Sequence, residues 1–284
     1  MDNENLPVME NALYEVPVEK EKDLQLTDEW FKDKLGKFSG SNMKKLMSCK
    51  SRAKREWTSR EKLIDFGDTA LTYMIEVALE RVTGERIEIP QTYAMSRGID
   101  LEQDAKNYFV QNWDKSDFAT KFSSFELIEL GFERFLSNAG ASLDAKLILV
   151  DGKQTAVAFE NKCPENVRIH MTQCQHGVDE SHQYFWQLHS EMLAIKSDLG
   201  ILVSFDPRFP EGSMLKTIKV ELSQNHSVAM QFRLVLAEMF ISRLIETNFD
   251  MDIYAELAGI VSVVPKDFAE MQEWLLVNVK DLYL

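Results

Sequence analysis

The segment from Leu143 to Lys162 constrains the fold more than any other part of the chain. Leu143-Asp144-Ala145-Lys146-Leu147-Ile148-Leu149-Val150 is rich in strand-forming residues, Asp151-Gly152 is a turn signal, and Thr155 to Lys162 is a second such run. The whole reads as a β-hairpin. Asp144 and Glu160 then stand at the same open end of it. Side chains alternate along a strand, so Glu160 and Lys162 share one face while Phe159 and Asn161 take the other. Asp144 and Glu160 can then converge on one divalent cation, with Lys162 beside it. A Glu-x-Lys pair by itself is more commonly a solvent-exposed ion pair, so the reading depends on the rest of the chain.

Helical segments flank the hairpin. Structure is expected to begin near Trp30, and Ser39-Gly40-Ser41 before Met43 to Met47 looks like a helix start with free N–H groups, a seat for phosphate. A long helix is predicted from Arg60 to Gly84, with Ile64, Leu71, Met74, Ile75, Ala78 and Val82 as its buried stripe. Another runs from about Ser96 to Trp113. Its Glu102 lies near the apolar side marked by Leu101, Ala105, Tyr108 and Phe109, either complementing the helix dipole from the first turn or aimed at the metal site. After a strand around Phe125 to Gly131 and the hairpin, a polar loop over Glu165 to Ser181 precedes a helix carrying Phe185, Leu188, Met192 and Ile195 on its core side, closed by Gly200. Gln187 stands beside that stripe. A buried strand over Ile201 to Phe205, an alternating strand over Leu215 to Leu222 and a long helix over Val228 to Asn248 complete the core. This order predicts an α/β fold with a central mixed sheet flanked by helices.

Three units are expected: an acidic flexible arm over 1–26, a main domain over 27–249 and a helical extension over 250–284. No apolar run reaches the roughly 18 to 20 residues of a membrane span, so no membrane role and a cytoplasmic location are expected. Cys49, Cys163 and Cys174 are too few and too scattered for a disulfide framework. His170, Cys174 and His176 crowd together near Cys163, but their spacing matches no structural zinc pattern and reads as a solvated loop.

The formal charge of −14 argues against a polyanionic partner until its distribution is read. Between Lys32 and Lys62 stand eleven Lys or Arg (Lys32, Lys34, Lys37, Lys44, Lys45, Lys50, Arg52, Lys54, Arg55, Arg60, Lys62) against Asp33, Glu56 and Glu61. That +8 block is either a solvated face or a positive groove focused on one substrate.

Several motifs in one order carry a resemblance. These are Trp30-Phe31-Lys32-Asp33-Lys34-Leu35-Gly36 through Ser39-Gly40-Ser41, Arg97-Gly98 through Glu102, Ser142-Leu143-Asp144-Ala145, Glu160-Asn161-Lys162-Cys163-Pro164, Tyr184-Phe185-Trp186-Gln187 and Phe205-Asp206-Pro207-Arg208. The chain resembles the lambda-exonuclease and YqaJ-type viral recombinases of the PD-(D/E)xK nuclease superfamily, from about Trp30 to Leu222. Leu143 and Ala145 replace the usual proline and glycine around the aspartate, and Lys34 replaces an arginine, so that a point charge stands where a bidentate fork is usual.

The resemblance implies a restriction-endonuclease-like core and a 5′-to-3′ exonuclease on linear duplex DNA that leaves 3′ single strands for recombination by strand annealing. It implies a phage or prophage origin in a bacterial host, an annealing-protein partner and a trimeric ring. Asp144, Glu160, Glu102 and the Asn161 backbone carbonyl would hold Mg²⁺, with Mn²⁺ as substitute. Lys162 would orient or deprotonate the attacking water, and Gln187 would hold the site in place. Lys34 and Ser41 fall at the 5′-phosphate positions, and Lys37, Lys44, Lys45, Arg52, Lys54 and Arg55 would track the DNA backbone without reading sequence. Mg²⁺ prefers oxygen ligands, which suits Asp and Glu and not Cys163. The competing readings are a non-catalytic DNA-end or recombinase-binding protein on a nuclease fold, and an endonuclease of the same superfamily.

Overall fold

The structure, a computed structural model, describes residues 27–282 apart from 88–89, 116–120, 174 and 176. The expected arm over 1–26, and Cys174 and His176, lie outside the described residues. In chain order the elements are α1 (Asp28–Lys34), β1 (Phe38–Ser39), α2 (Met43–Leu46), α3 (Arg60–Leu63), α4 (Asp68–Thr83), α5 (Tyr93–Gln111), β2 (Ser124–Ile128), β3 (Phe132–Leu136) and β4 (Ala139–Ser142). They continue with β5 (Ala145–Asp151), β6 (Lys153–Lys162), α6 (Val167–Gln173), α7 (Phe185–Ala194), β7 (Leu199–Phe205), β8 (Leu215–Glu221), α8 (Gln224–Glu246), α9 (Ile253–Ser262) and α10 (Phe268–Asn278).

The predicted hairpin is β5 and β6, paired from Ala145 opposite Phe159 to Asp151 opposite Lys153, with Gly152 at φ +68° supplying the turn. It forms the middle of a mixed five-stranded sheet in the order β2-β5-β6-β7-β8, whose one parallel pair is β6 with β7. Both faces are covered, so alternate residues enter two different cores. Leu147, Leu149, Val157, Phe159, Ile201 and Val203 pack with Phe109 and Trp113 on the α5 side. Ala158 and Leu202 pack with Leu188 and Met192 of α7 on the other. Behind α7, helices α4, α8, α9 and α10 share a larger apolar cluster with Phe38, Leu46 and Trp57, so the C-terminal helices bury Leu257, Ile260, Met271 and Leu275 in the same core as α8.

The structure departs from the sequence reading in several places. The single helix expected from Arg60 to Gly84 is broken at Ile64–Gly67, because this stretch is held by the loop before it: Gly67 N donates to Ser48 O (3.0 Å), and the Asp65 carboxylate accepts from Lys50 N (3.2 Å) and Ser51 N (2.9 Å). Gly84 ends α4 as expected, at φ +68°. Gly200 does not close α7. It lies inside β7, against Met192, and the left-handed residue after the helix is Lys196 at φ 54°. The loop expected over Glu165 to Ser181 contains α6, in which His170 is fully buried, its ring nitrogens bonded to Ser204 Oγ (3.0 Å) and Ser213 O (2.8 Å). The second small sheet, β1-β4-β3, has no alternating sequence to announce it. Gly140 is required there, since a Cβ would stand 2.6 Å from Glu133 O.

Candidate active site

The site forms where β4 passes into β5, at the C-terminal end of β6. Trp30 Nε1 donates to Ser142 Oγ (2.9 Å), which fastens α1 to the end of β4. Leu143 and Ala145 are both fully buried, Leu143 in the α7-side core and Ala145 in the α5-side core. Asp144 is thus gripped between two apolar anchors, and its Oδ2 accepts from Asn161 N at 2.7 Å. Burial first, and then the neighbouring Glu160, raise the Asp144 carboxyl well above the ordinary carboxylate range, against the pull of Lys162 and the Asn161 N–H.

Glu160 is 1 % exposed on the α7 side of β6. Its Oε1 accepts from Gln187 Nε2 and from the Lys162 ammonium, so the expected grouping of Glu160, Lys162 and Gln187 is present. Burial lowers the Lys162 pKa, but Glu160 and Asp144 outweigh it and hold the ammonium above its ordinary value. The Tyr184 ring lies 4.9 Å from Lys162 Nζ.

A residue missed in the sequence completes this pocket. Glu191 is one turn beyond Gln187 on α7, is fully buried, and among the described residues neither of its carboxyl oxygens meets an N–H or O–H donor. Burial, then the nearby Glu160, push its carboxyl well above the usual range, and a proton on Glu191 gives it a hydrogen bond to Glu160. Glu160 Oε2, also buried and without a donor, is the complementary atom. The sequence signal is the four-residue spacing from Gln187 on α7, which puts both side chains on one face.

Glu102 is placed differently. The helix begins at Tyr93, so Glu102 is mid-helix and not in the first turn, and it pairs with Lys106 (2.8 Å), which also holds Glu129 (2.9 Å). It lies on α5, which packs on the opposite face of the sheet from α7, and contributes to the negative potential at Asp144. Among the described residues, no three His, Cys, Asp or Glu are spaced to hold one metal ion. Asp144 and Glu160 nevertheless suit a hard cation: all their donors are oxygen, and each carboxylate opposes ionisation of the other. The Asn161 backbone lies beside them in β6, opposite Val203 of β7.

Asp206, fully buried, accepts from Arg208 (2.8 and 2.7 Å) and Arg97 (3.3 Å), and both arginines also bond Pro164 O. Three motifs far apart in sequence therefore close into one knot that fixes the chain leaving β6 and the N-terminal half of α5. In the basic block, Lys34 folds over the Trp30 ring (4.5 Å), and burial together with Arg86 brings its pKa down to about 8. Ser41 is exposed, 3.4 Å from Ser39 Oγ, and the helix expected after it has only the four residues of α2. Lys37 is half-buried. Lys44, Arg52, Lys54 and Arg55 are exposed, while Lys45 faces Glu76 at 3.9 Å. Lys62 pairs with Glu180 (3.2 Å) and Arg60 bonds the backbone of the C-terminal helices, so these two are diverted from a groove.

No family model and no curated protein matches the chain. Solved structures do. An alkaline exonuclease from Laribacter hongkongensis superposes with a TM-score of 0.57 at 24% identity, covering 78% of this chain and 98% of that one. The same enzyme in complex with dAMP gives 0.56 at 24% identity, covering 78% and 98%. A phage-related exonuclease from Haemophilus somnus 129PT gives 0.54 at 14% identity, covering 74% and 96%. The fold is that of these exonucleases. The likeness spans nearly the whole of each of those structures, in agreement with the resemblance drawn from the motifs. No helix among the described residues is long and apolar enough to cross a membrane.

Proposed function

We propose that this chain is a Mg²⁺-dependent exonuclease of the lambda-exonuclease type, built on a PD-(D/E)xK core, that degrades one strand of linear duplex DNA from its 5′ end. The observation that carries the reading is the cluster of half-buried Asp144, Lys162 and Gln187 around the buried Glu160, on a fold shared with exonucleases. Asp144 and Glu160 would hold the cation, with the Asn161 carbonyl and, once released from Lys106, Glu102 as further ligands and Mn²⁺ as a substitute ion. When bound, the ion neutralises charge on the scissile phosphate and acidifies a bound water. Gln187 fixes the orientation of Glu160. Lys162, bonded to Glu160 beside Asp144, stands where it would orient or deprotonate the attacking water. Lys34 and Ser41 receive the 5′-phosphate, and the exposed Lys44, Arg52, Lys54 and Arg55 follow the backbone. The 3′ overhang left behind would be the substrate of an annealing protein, and a trimeric ring would retain the duplex.

The test is digestion of 5′-phosphorylated linear duplex and of covalently closed circular duplex, with and without Mg²⁺. The expected result is Mg²⁺-dependent release of nucleotides from the linear substrate alone, abolished in Asp144→Ala and Lys162→Ala. Equal attack on the circle would replace this reading by an endonuclease. One observation favours a second reading, a non-catalytic DNA-end binder: Glu102 is tied to Lys106 instead of joining Asp144 and Glu160. Calorimetric titration with Mg²⁺ and Mn²⁺ separates the two, because a protein that binds neither ion is not a metal-dependent nuclease.

A further inference from the structure

The basic loop over 50–56 is exposed throughout, and Arg52, Lys54 and Arg55 make no ion pair with another described residue. Such a loop is expected to be mobile, yet both of its ends are fastened. Arg233 of α8, fully buried, donates to Ser48 O (3.2 Å) and to Asp65 O, with its guanidinium 4.1 Å from the Phe66 ring. The Asp65 carboxylate takes the amides of Lys50 and Ser51. Beyond the loop, Arg60 reaches the C-terminal end of α9, donating from Nε to Val264 O (2.9 Å) and from Nη2 to Val261 O (3.1 Å). Val261 O at the end of α9 also accepts the Val264 amide, and Val264 O lies just beyond the helix, so the planar guanidinium fork spans two carbonyls that a single ammonium could not bridge in the same way. The α9–α10 pair is itself packed on α8, where Trp274 meets Phe232, the neighbour of Arg233, at 4.9 Å. Lys50 Nζ also lies over the Tyr254 ring of α9, at 5.8 Å.

We propose that the two C-terminal helices act as a strut that pre-orders the cation-bearing loop for duplex DNA, and that Arg60 is the positioning residue joining strut to loop. This rests on the reading of the loop as part of the DNA path. Pre-ordering raises affinity because the loop's conformational freedom is given up in folding and not at the moment of binding. Arg60 works through its fork and not through its charge toward DNA, because that fork is already engaged with Val261 and Val264.

The experiment is fluorescence anisotropy of a 5′-phosphorylated duplex in chelator, so that no cleavage occurs, on the full chain. Arg60→Met is expected to weaken binding by roughly three- to tenfold at moderate salt. Arg60→Lys, which keeps the charge and loses the fork, is expected to behave like Arg60→Met. A triple Arg52→Ala, Lys54→Ala, Arg55→Ala variant is expected to bind weakly, and adding Arg60→Met to it is expected to change nothing further. Thermal unfolding of each variant checks that the core is intact, and Arg60→Lys serves if Arg60→Met does not fold. Wild-type affinity in Arg60→Lys, or losses that multiply when Arg60→Met is combined with the triple variant, would overturn the strut and leave the nuclease reading standing. A triple variant that binds as well as the wild type removes the loop from the DNA path and overturns the strut with it. Failure of the metal-dependent digestion with this binding pattern intact would sink the catalytic reading alone.

Discussion

Glu191 and Lys34 show how far a single environment reshapes a side chain. Glu191 faces Glu160 with no donor of its own, so an acid that donates one proton fits where a second carboxylate does not. Glu191→Gln, whose amide donates in its place, is therefore expected to keep stability within about 1 kcal/mol, while Glu191→Ala loses roughly 2 to 4 kcal/mol through a cavity and an unpartnered Glu160 oxygen. Urea unfolding of both variants measures this, and a Gln variant as damaged as the Ala variant contradicts it. Lys34 is lowered to about 8 by burial and by Arg86, with Glu80 opposing. Its ammonium is present below that value and lost as pH rises through it. On the proposed 5′-phosphate role, the preference for phosphorylated over hydroxyl ends falls between about pH 7 and 9, and Lys34→Arg abolishes the fall because a guanidinium stays charged. Digestion rates of the two substrates across that range provide the check. Neither effect is legible in the sequence: Glu191 reads as an ordinary helical glutamate, and the lowering of Lys34 depends in part on the charge of Arg86, 52 positions away.

Among the elements, α7 concentrates the most function in the least length. Its Gln187 and Glu191 serve Glu160, and its His189 is locked to α8 by the amide of Ser223, which donates to Nε2 at 3.2 Å, while Nδ1–H donates to Phe185 O at 2.9 Å. That geometry requires a neutral ring. Burial is the main cause that brings the His189 pKa from 6.5 down to about 4, with the Phe185 carbonyl opposing and His226 adding to it. The folded value is depressed, so the contribution is fully present above pH 6.5 and is lost as pH falls toward 4, amounting to about 3 kcal/mol. His189→Gln is expected to flatten the acid limb of stability against pH in urea titrations; an unchanged limb would place the acid sensitivity elsewhere. The periodicity of α7 and the β5–β6 hairpin were readable because local pattern and tertiary need agree there. The break between α3 and α4 was not, since it is imposed by Ser48 and by the loop amides that Asp65 captures, contacts that no helical window contains.

At the scale of the molecule, the mixed sheet with helices on both faces follows from the alternation of apolar and turn segments, and the structure has it. The small β1-β4-β3 sheet escaped notice because its strands are as short as two residues and its middle strand is Ala139-Gly140-Ala141-Ser142, a sequence with no strand signature. The proximity of Asp144, Glu160, Lys162 and Gln187 was legible in advance from the hairpin register and the periodicity of α7, while the partnership of Glu102 with Lys106 was not, since Lys106 is also held by Glu129, which lies outside α5. Leu143 and Ala145 carry a last consequence. A proline and a glycine would set the direction of Asp144 through local backbone stiffness; here two fully buried side chains, one in each core, set it instead. The alignment of the aspartate is thereby hostage to how tightly the two halves of the protein stay pressed together, so warming or remote core lesions should blunt catalysis before the chain begins to melt.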